Sequence, residues 1–203
     1  MRTYKRELKP TRPVLQPLLT FEQVNMITAF EGMWNQIAQW TRALVHSYLF
    51  DLPNLGAVSD KLYSLPGNFN DILACYFGAE NSQAFVDLLT AFIYSGARTT
   101  EGMRNGDQDQ VSADVEQWYA AADRIALLLS SLNVYWDENQ WQNLLYQYIQ
   151  KKVEEITAVM NGDFNRDNEL YDFIENLTSL MGSYMARGIL AISQYQYGYQ
   201  KRS

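Results

Sequence analysis

Residues 141–160 read Trp141-Gln-Asn-Leu144-Leu145-Tyr-Gln-Tyr148-Ile149-Gln-Lys-Lys-Val153-Glu-Glu-Ile156-Thr-Ala-Val-Met160. The apolar residues fall at Trp141, Leu144/Leu145, Tyr148/Ile149, Val153, Ile156 and Met160. Steps of three and four return a side chain to one face of an α-helix, so this stretch predicts an amphipathic helix. Four other stretches follow the same rhythm. The first runs from Phe21 through Val24, Ile27, Phe30, Met33/Trp34, Ile37, Trp40, Leu44 and Tyr48. The others are Phe85 to Met103, Val111 to Leu132 and Leu170 to Ile192. No stretch sustains the period-two alternation of a half-buried strand. An all-α fold is expected.

Punctuation places the breaks. All five prolines (Pro10, Pro13, Pro17, Pro53, Pro66) lie in the first 66 residues, leaving the remainder free for uninterrupted helices. Asn105-Gly106-Asp107 and Asn161-Gly162-Asp163 each offer a glycine to end one helix and an aspartate to cap the next. Asn133 to Asp137 reads as a third turn, capped by Asp137. Such short turns imply antiparallel neighbours. A longer crossover, roughly Asp51 to Gly78, is broken at Leu52-Pro53-Asn54 and Leu65-Pro66-Gly67 and predicts two short helices. The pattern Leu88-Leu89-x-x-Phe92-Ile93 with Asn105-Gly106-Asp107 returns 56 residues later as Leu144-Leu145-x-x-Tyr148-Ile149 with Asn161-Gly162-Asp163. That echo predicts a repeated helical hairpin over residues 80–133 and 137–193. The expected architecture is an up-and-down antiparallel bundle, ferritin-like, of about five long helices with a helical crossover after the first. It occupies residues 20–195, between a basic, flexible arm (1–19) and a Tyr/Gln-rich tail (196–203).

The chain has 203 residues, 47% of them hydrophobic and 19% charged, enough for one well-filled core and too apolar for a disordered chain. Its net charge of −7 is unevenly spread. Basic Arg2, Lys5, Arg6, Lys9, Arg12, Lys201 and Arg202 sit at the ends, so residues 13–200 hold 9 Lys and Arg against 22 Asp and Glu, a formal −13. An acidic body repels phosphate backbones, and no nucleic-acid partner is expected. No apolar run is long enough to span a membrane, and Lys9-Pro10-Thr11-Arg12-Pro13 interrupts any secretory leader. A cytoplasmic protein is the expectation.

The chemistry is mostly exclusion. One histidine (His46) and one cysteine (Cys75) cannot build a histidine di-iron centre, a zinc knuckle or a disulfide framework. Strand-borne phosphate loops and the Gly-x-Ser-x-Gly elbow are missing. No cofactor and no metal site are expected, although a carboxylate-only cation site stays open. Asp107 and Asp163 read as helix caps, His46 as a helix-end or hydrogen-bonded core residue, and Cys75 as a small buried filler. Arg42, in Trp40-Thr41-Arg42, is expected to pair with an acid such as Asp123 and so fix helix register, or else to anchor an anion or stack on an aromatic. Trp40, Arg42, Phe92, Asp123 and Tyr148 are the candidate binding residues.

A set of short motifs carries a resemblance. Trp34 with Trp40-Thr41-Arg42, Leu52-Pro53-Asn54, Tyr76-Phe77-Gly78, Asp87-Leu88-Leu89-Thr90, Trp118-Tyr119-Ala120-Ala121-Ala122-Asp123, Leu132-Asn133-x-Tyr135-Trp136 and Asn161-Gly162-Asp163 belong to it. Over roughly Trp34 to Leu190 the chain resembles a family of small helical proteins from spore-forming bacteria, some carrying the label acetylglutamate kinase. The resemblance implies a helical bundle without an established activity, and the kinase label does not fit a chain lacking sheet and phosphate loop. Members carry histidine where this chain has Ile37, Phe92 and Tyr148, so a histidine metal site in relatives would be lost here.

The leading expectation is therefore a non-enzymatic helical bundle with a binding or structural role. Its partner would be a protein or a small molecule, with homo-oligomerisation open. One alternative is a small-molecule or cation site inside the bundle near Arg42. Another is a surface or coat interaction protein working through the basic arm and the Tyr-rich tail.

Overall fold

The computed structural model describes residues 19–200, with side chains as far as Ser193. The basic arm up to residue 18, the last three residues and the side chains of the Tyr/Gln-rich tail lie outside the described residues. Among the described residues every regular element is helical and there is no strand. The elements are α1 (Phe21–Leu49), α2 (Leu55–Ser64), a 3-10 turn (Leu65–Phe69), α3 (Asn70–Phe77), α4 (Ala79–Asn105), α5 (Gln108–Leu132), α6 (Glu138–Met160) and α7 (Phe164–Gln200). None of the described helices is long and apolar enough to cross a membrane.

Local chemistry sets the boundaries. At the start of α1, Thr20 Oγ1 accepts the Gln23 N–H at 3.2 Å while Gln23 Oε1 accepts the Thr20 N–H at 2.9 Å, a reciprocal capping box. Asp107, Asp137 and Asp163 each accept the N–H three residues on, at 3.0, 2.8 and 3.0 Å, as their sequence positions suggested. The turns after α4 and α6 are built alike. Gly106 (φ 70°) and Gly162 (φ 71°) adopt the left-handed conformation, and the next N–H returns to Gly102 O and Ala158 O at 3.0 and 2.9 Å. That doubly bonded stop satisfies carbonyls that a helix end otherwise leaves open.

Side-chain contacts fix the helix directions. Phe92 and Gly96 of α4 meet Trp118 of α5, and Arg98 meets Asp114, so the two helices are antiparallel. Asp123 with Gln142 and Tyr119 with Tyr146 place α6 antiparallel to α5. Helix α7 lies antiparallel to α1, with Gly182 against Glu31, Ser179 against Asn35 and Asp167 against Arg42. Gly182 is needed there: a Cβ would stand 2.5 Å from the Glu31 backbone. The crossover returns the chain so that α4 starts beside the early part of α1.

A main core fills most of the space between the helices, and a smaller apolar cluster gathers Val45, Ile156 and Val159. Trp34 lies 5.5 Å from Phe69, 6.5 Å from Phe85 and 6.2 Å from Trp141, centroid to centroid, joining α1, the crossover, α4 and α6. Each such fully buried large side chain contributes roughly 1.5–3 kcal/mol of transfer free energy. Cys75 departs from expectation. It is exposed, because α3 turns only Leu73 fully inward and position 75 falls on the opposite side.

Candidate functional site

The apolar stripe of α6 contains two charges. Lys152 and Glu155 stand one turn apart in register with Trp141, Leu145 and Tyr148, and both side chains are fully buried. Lys152 Nζ donates to Glu155 Oε2 at 2.5 Å and approaches Ala38 O of α1 at 3.5 Å. From α1, Arg42 reaches the same region. Its guanidinium donates to Asp167 Oδ2 of α7 at 2.5 Å and to Asn168 Oδ1 at 2.7 Å, and its Nε faces Glu155 Oε1 at 3.7 Å. His46, one turn further along α1, places Nε2 3.3 Å from Asp167 Oδ2. The guanidinium also lies over the Tyr171 ring, 4.5 Å from its centroid.

Three helices thus contribute to one network. Two cations, Arg42 and Lys152, oppose two carboxylates, Glu155 and Asp167, so their formal charges cancel. That balance matters because an isolated buried ion would cost several kcal/mol. Burial pushes the Lys152 ammonium below its usual range, and the Glu155 carboxylate beside it opposes that shift. Burial raises the phenols of Tyr148 and Tyr171. The network reaches solvent on the α1/α7 side, where Gln39, Arg42, Ala43, His46 and Tyr171 line an open depression of about 360 Å³.

The candidate residues from the sequence separate into two groups. Tyr148 and Phe92 are in direct contact, and Arg42 reaches them through the Glu155–Lys152 pair, since Lys152 Nζ lies 5.9 Å from the Tyr148 centroid. Tyr148 O–H points to Thr41 Oγ1 at 3.4 Å, Thr41 donates to Ile37 O at 2.7 Å, and the Tyr148 ring lies 5.7 Å from that of Phe92. Phe92 in turn packs edge-on against Trp118. Trp40 is half-buried at the margin of the core. Asp123 is elsewhere: it accepts from Gln142 Nε2 and Tyr146 O–H, both at 2.7 Å, and that bond is the main reason the Tyr146 phenol is pushed up to about 12. The pairing of Arg42 with Asp123 is therefore corrected. Arg42 does bind acids, but they are Asp167 and Glu155.

Sequence reading missed Lys152, Glu155, Asp167 and Tyr171. A signal existed for the first two. The buried series Trp141, Leu144/Leu145, Tyr148/Ile149 continues at Lys152 and Glu155/Ile156, and following only the apolar letters steps aside to Val153.

Four polar atoms of the network, Arg42 Nε, His46 Nε2, Glu155 Oε1 and Asp167 Oδ1, are buried without a hydrogen-bond partner. The Thr41 hydroxyl, one residue before Arg42, donates to the Ile37 carbonyl at 2.7 Å and not to a base that could activate it. No group of three or more His, Cys, Asp or Glu side chains among the described residues could share a metal ion. Phe92 and Tyr148 line none of the described depressions. In comparison with known proteins, the chain matches no family model, no curated protein and no solved structure.

Proposed function

We propose that this chain is a non-enzymatic helical bundle that acts by binding, and that its buried ionic network is architectural. The observation behind the reading is the mutual neutralisation of Arg42, Lys152, Glu155 and Asp167, which engages both buried carboxylates with cations. The fold is an up-and-down, ferritin-like arrangement of five long helices, α1 and α4 to α7, carrying an internal hairpin repeat. Two features support the repeat: the identical glycine stops at Gly106 and Gly162, and the direct contact of the equivalent side chains Phe92 and Tyr148. The same contact fits membership in the family of small helical proteins from spore-forming bacteria. Apolar and aromatic groups stand where that family's histidines would be.

The test is stoichiometric. The full chain is incubated with a complete metabolite extract at catalytic and at equimolar ratios, and every metabolite is followed by mass spectrometry. A binding protein depletes no metabolite beyond one equivalent. Turnover of any metabolite many times over would sink the reading, as would tight stoichiometric retention of iron, zinc or manganese after incubation and dialysis.

The depression beside Arg42 supports a second reading, a small-molecule site. Arg42, His46 and Tyr171 line it, and each keeps part of its side chain in solvent. In that case the Arg42→Met variant loses ligand, whereas an architectural arginine loses stability alone.

A further inference from the structure

A second cleft lies between α1, α2 and α4, away from the ionic network. It encloses about 210 Å³, and its walls include Leu55, Tyr48, Tyr63, Tyr94, Arg98 and Glu101. We propose that this cleft binds the quaternary ammonium group of a small molecule, of the choline or betaine class. The proposal rests on the binding reading above and names a site and ligand class for it.

The walls are aromatic and come from three different helices. Tyr48 belongs to α1, Tyr63 to α2 and Tyr94 to α4. The Tyr63 and Tyr94 rings have centroids 6.4 Å apart and are tilted by 44°, so they form two adjoining sides rather than a stack. The negative face of a phenol ring attracts a cation within about 6 Å of its centroid. This molecule already uses that attraction next door, where the Arg104 guanidinium sits 5.0 Å from the Tyr48 centroid and Asp51 holds it in place. Burial raises the phenols of Tyr48 and Tyr63, so both rings are uncharged at neutral pH.

The charge balance selects the sign of the ligand. Arg98 is held by Glu101 at 3.3 Å and by Asp114 at 3.6 Å, so these three groups sum to −1. Residues 13–200 carry a formal net charge of −13. Polar partners select the kind of cation. A primary ammonium must place three N–H groups on acceptors at once, whereas the one lining carboxylate, Glu101, is already engaged by Arg98, and the remaining side-chain acceptors are the hydroxyls of Ser59 and the tyrosines. A quaternary ammonium has no N–H to satisfy and presents methyl groups to the rings and to Leu55. The cleft is small, which favours a compact head group over a drug-sized ligand.

The experiment titrates tetramethylammonium chloride and choline chloride into the full chain at constant ionic strength, followed by 1H–15N NMR. Sodium chloride is the salt control, and 3,3-dimethylbutan-1-ol is the uncharged isostere of choline. Saturable shifts centred on Tyr48, Tyr63, Tyr94 and Glu101 are expected, with the isostere binding about tenfold more weakly. Tyr94→Leu, at a ring that is 55% exposed and tolerant of change, should weaken choline by about fivefold or more. Tyr63→Leu should do the same, and the Tyr94 variant decides if that one fails to fold. Phosphatidylcholine vesicles form the second arm: co-sedimentation abolished by Tyr94→Leu assigns the group to a lipid head, and its absence assigns it to a free solute. Absence of saturable shifts, equal binding of the isostere, or indifference to Tyr94→Leu overturns the proposal. None of those results alters the turnover test, so the two failures stay distinguishable.

Discussion

Arg42 near the end of α1 and Asp167 in the first turn of α7 meet at 2.5 Å, joining two antiparallel helices. Asp167 is almost fully buried, while Arg42 keeps a fifth of its side chain exposed. Removing the acid therefore leaves a guanidinium that cannot fully return to water. Asp167→Ala should cost about 3 kcal/mol, and Arg42→Met in the same background should restore much of it. Urea unfolding of both singles and the double gives the coupling energy directly. Independent, additive effects would show that the pair does not hold the helices together.

The helices were legible in the sequence because burial repeats with the helical period, and the caps because Asp107, Asp137 and Asp163 stand beside turn residues. The ionic network was not legible to a search for apolar letters. Lys152 and Glu155 occupy apolar-stripe positions, and whether a charge there is buried depends on α1 and α7 supplying Arg42 and Asp167. Those partners are 110 residues before and 15 after Lys152, distances over which periodicity is silent. The exposure of Cys75 was missed for a related reason. Its neighbours Leu73 and Phe77 are apolar, but an eight-residue helix shows one face inward and position 75 is not on it.

The Lys152–Glu155 pair should behave asymmetrically. Lys152→Met alone strands Glu155, fully buried, with only Arg42 Nε at 3.7 Å for company. A loss of about 3 kcal/mol is expected. The double variant Lys152→Met with Glu155→Leu removes both charges and fills the space with apolar atoms, and it should be as stable as the parent or more so. Thermal unfolding by circular dichroism separates these outcomes. A double variant weaker than either single would mean that the charges stabilise the fold outright.

Two glycines in helix interiors should respond in opposite ways to alanine. Gly182 of α7 lies against the α1 backbone, and the new methyl would meet Glu31 Cα and N at 2.5 Å. The helices must move apart, and a loss of about 3 kcal/mol is expected for Gly182→Ala. Gly32 of α1 has nothing within 4 Å of the added methyl. There the helix simply gains a better former, and Gly32→Ala should add about 1 kcal/mol. Denaturation midpoints read both, and similar losses at the two sites would refute the close approach of α1 and α7.

High pH should unfold this protein through its tyrosines. Burial raises the Tyr148 phenol, and the Asp123 hydrogen bond with partial burial raises that of Tyr146 to about 12. In the unfolded chain both return to an ordinary value near about 10. A raised folded value means that the neutral phenol is favoured by folding, so this stabilisation is complete below about pH 10 and fades as pH rises toward the folded values. Lys152 acts with the opposite sign, since its lowered value makes stability rise with pH below the ordinary lysine range. The phenols should therefore make stability fall beyond about pH 10, against the opposing contribution of Lys152. Tyr148→Phe loses only the long 3.4 Å contact to Thr41, so at pH 7 it should change stability by less than about 1 kcal/mol. Its fall between pH 10 and 12 should be visibly shallower than that of the parent chain. Urea midpoints across that range provide the comparison, and parallel curves for parent and variant would remove Tyr148 from the account of alkaline unfolding.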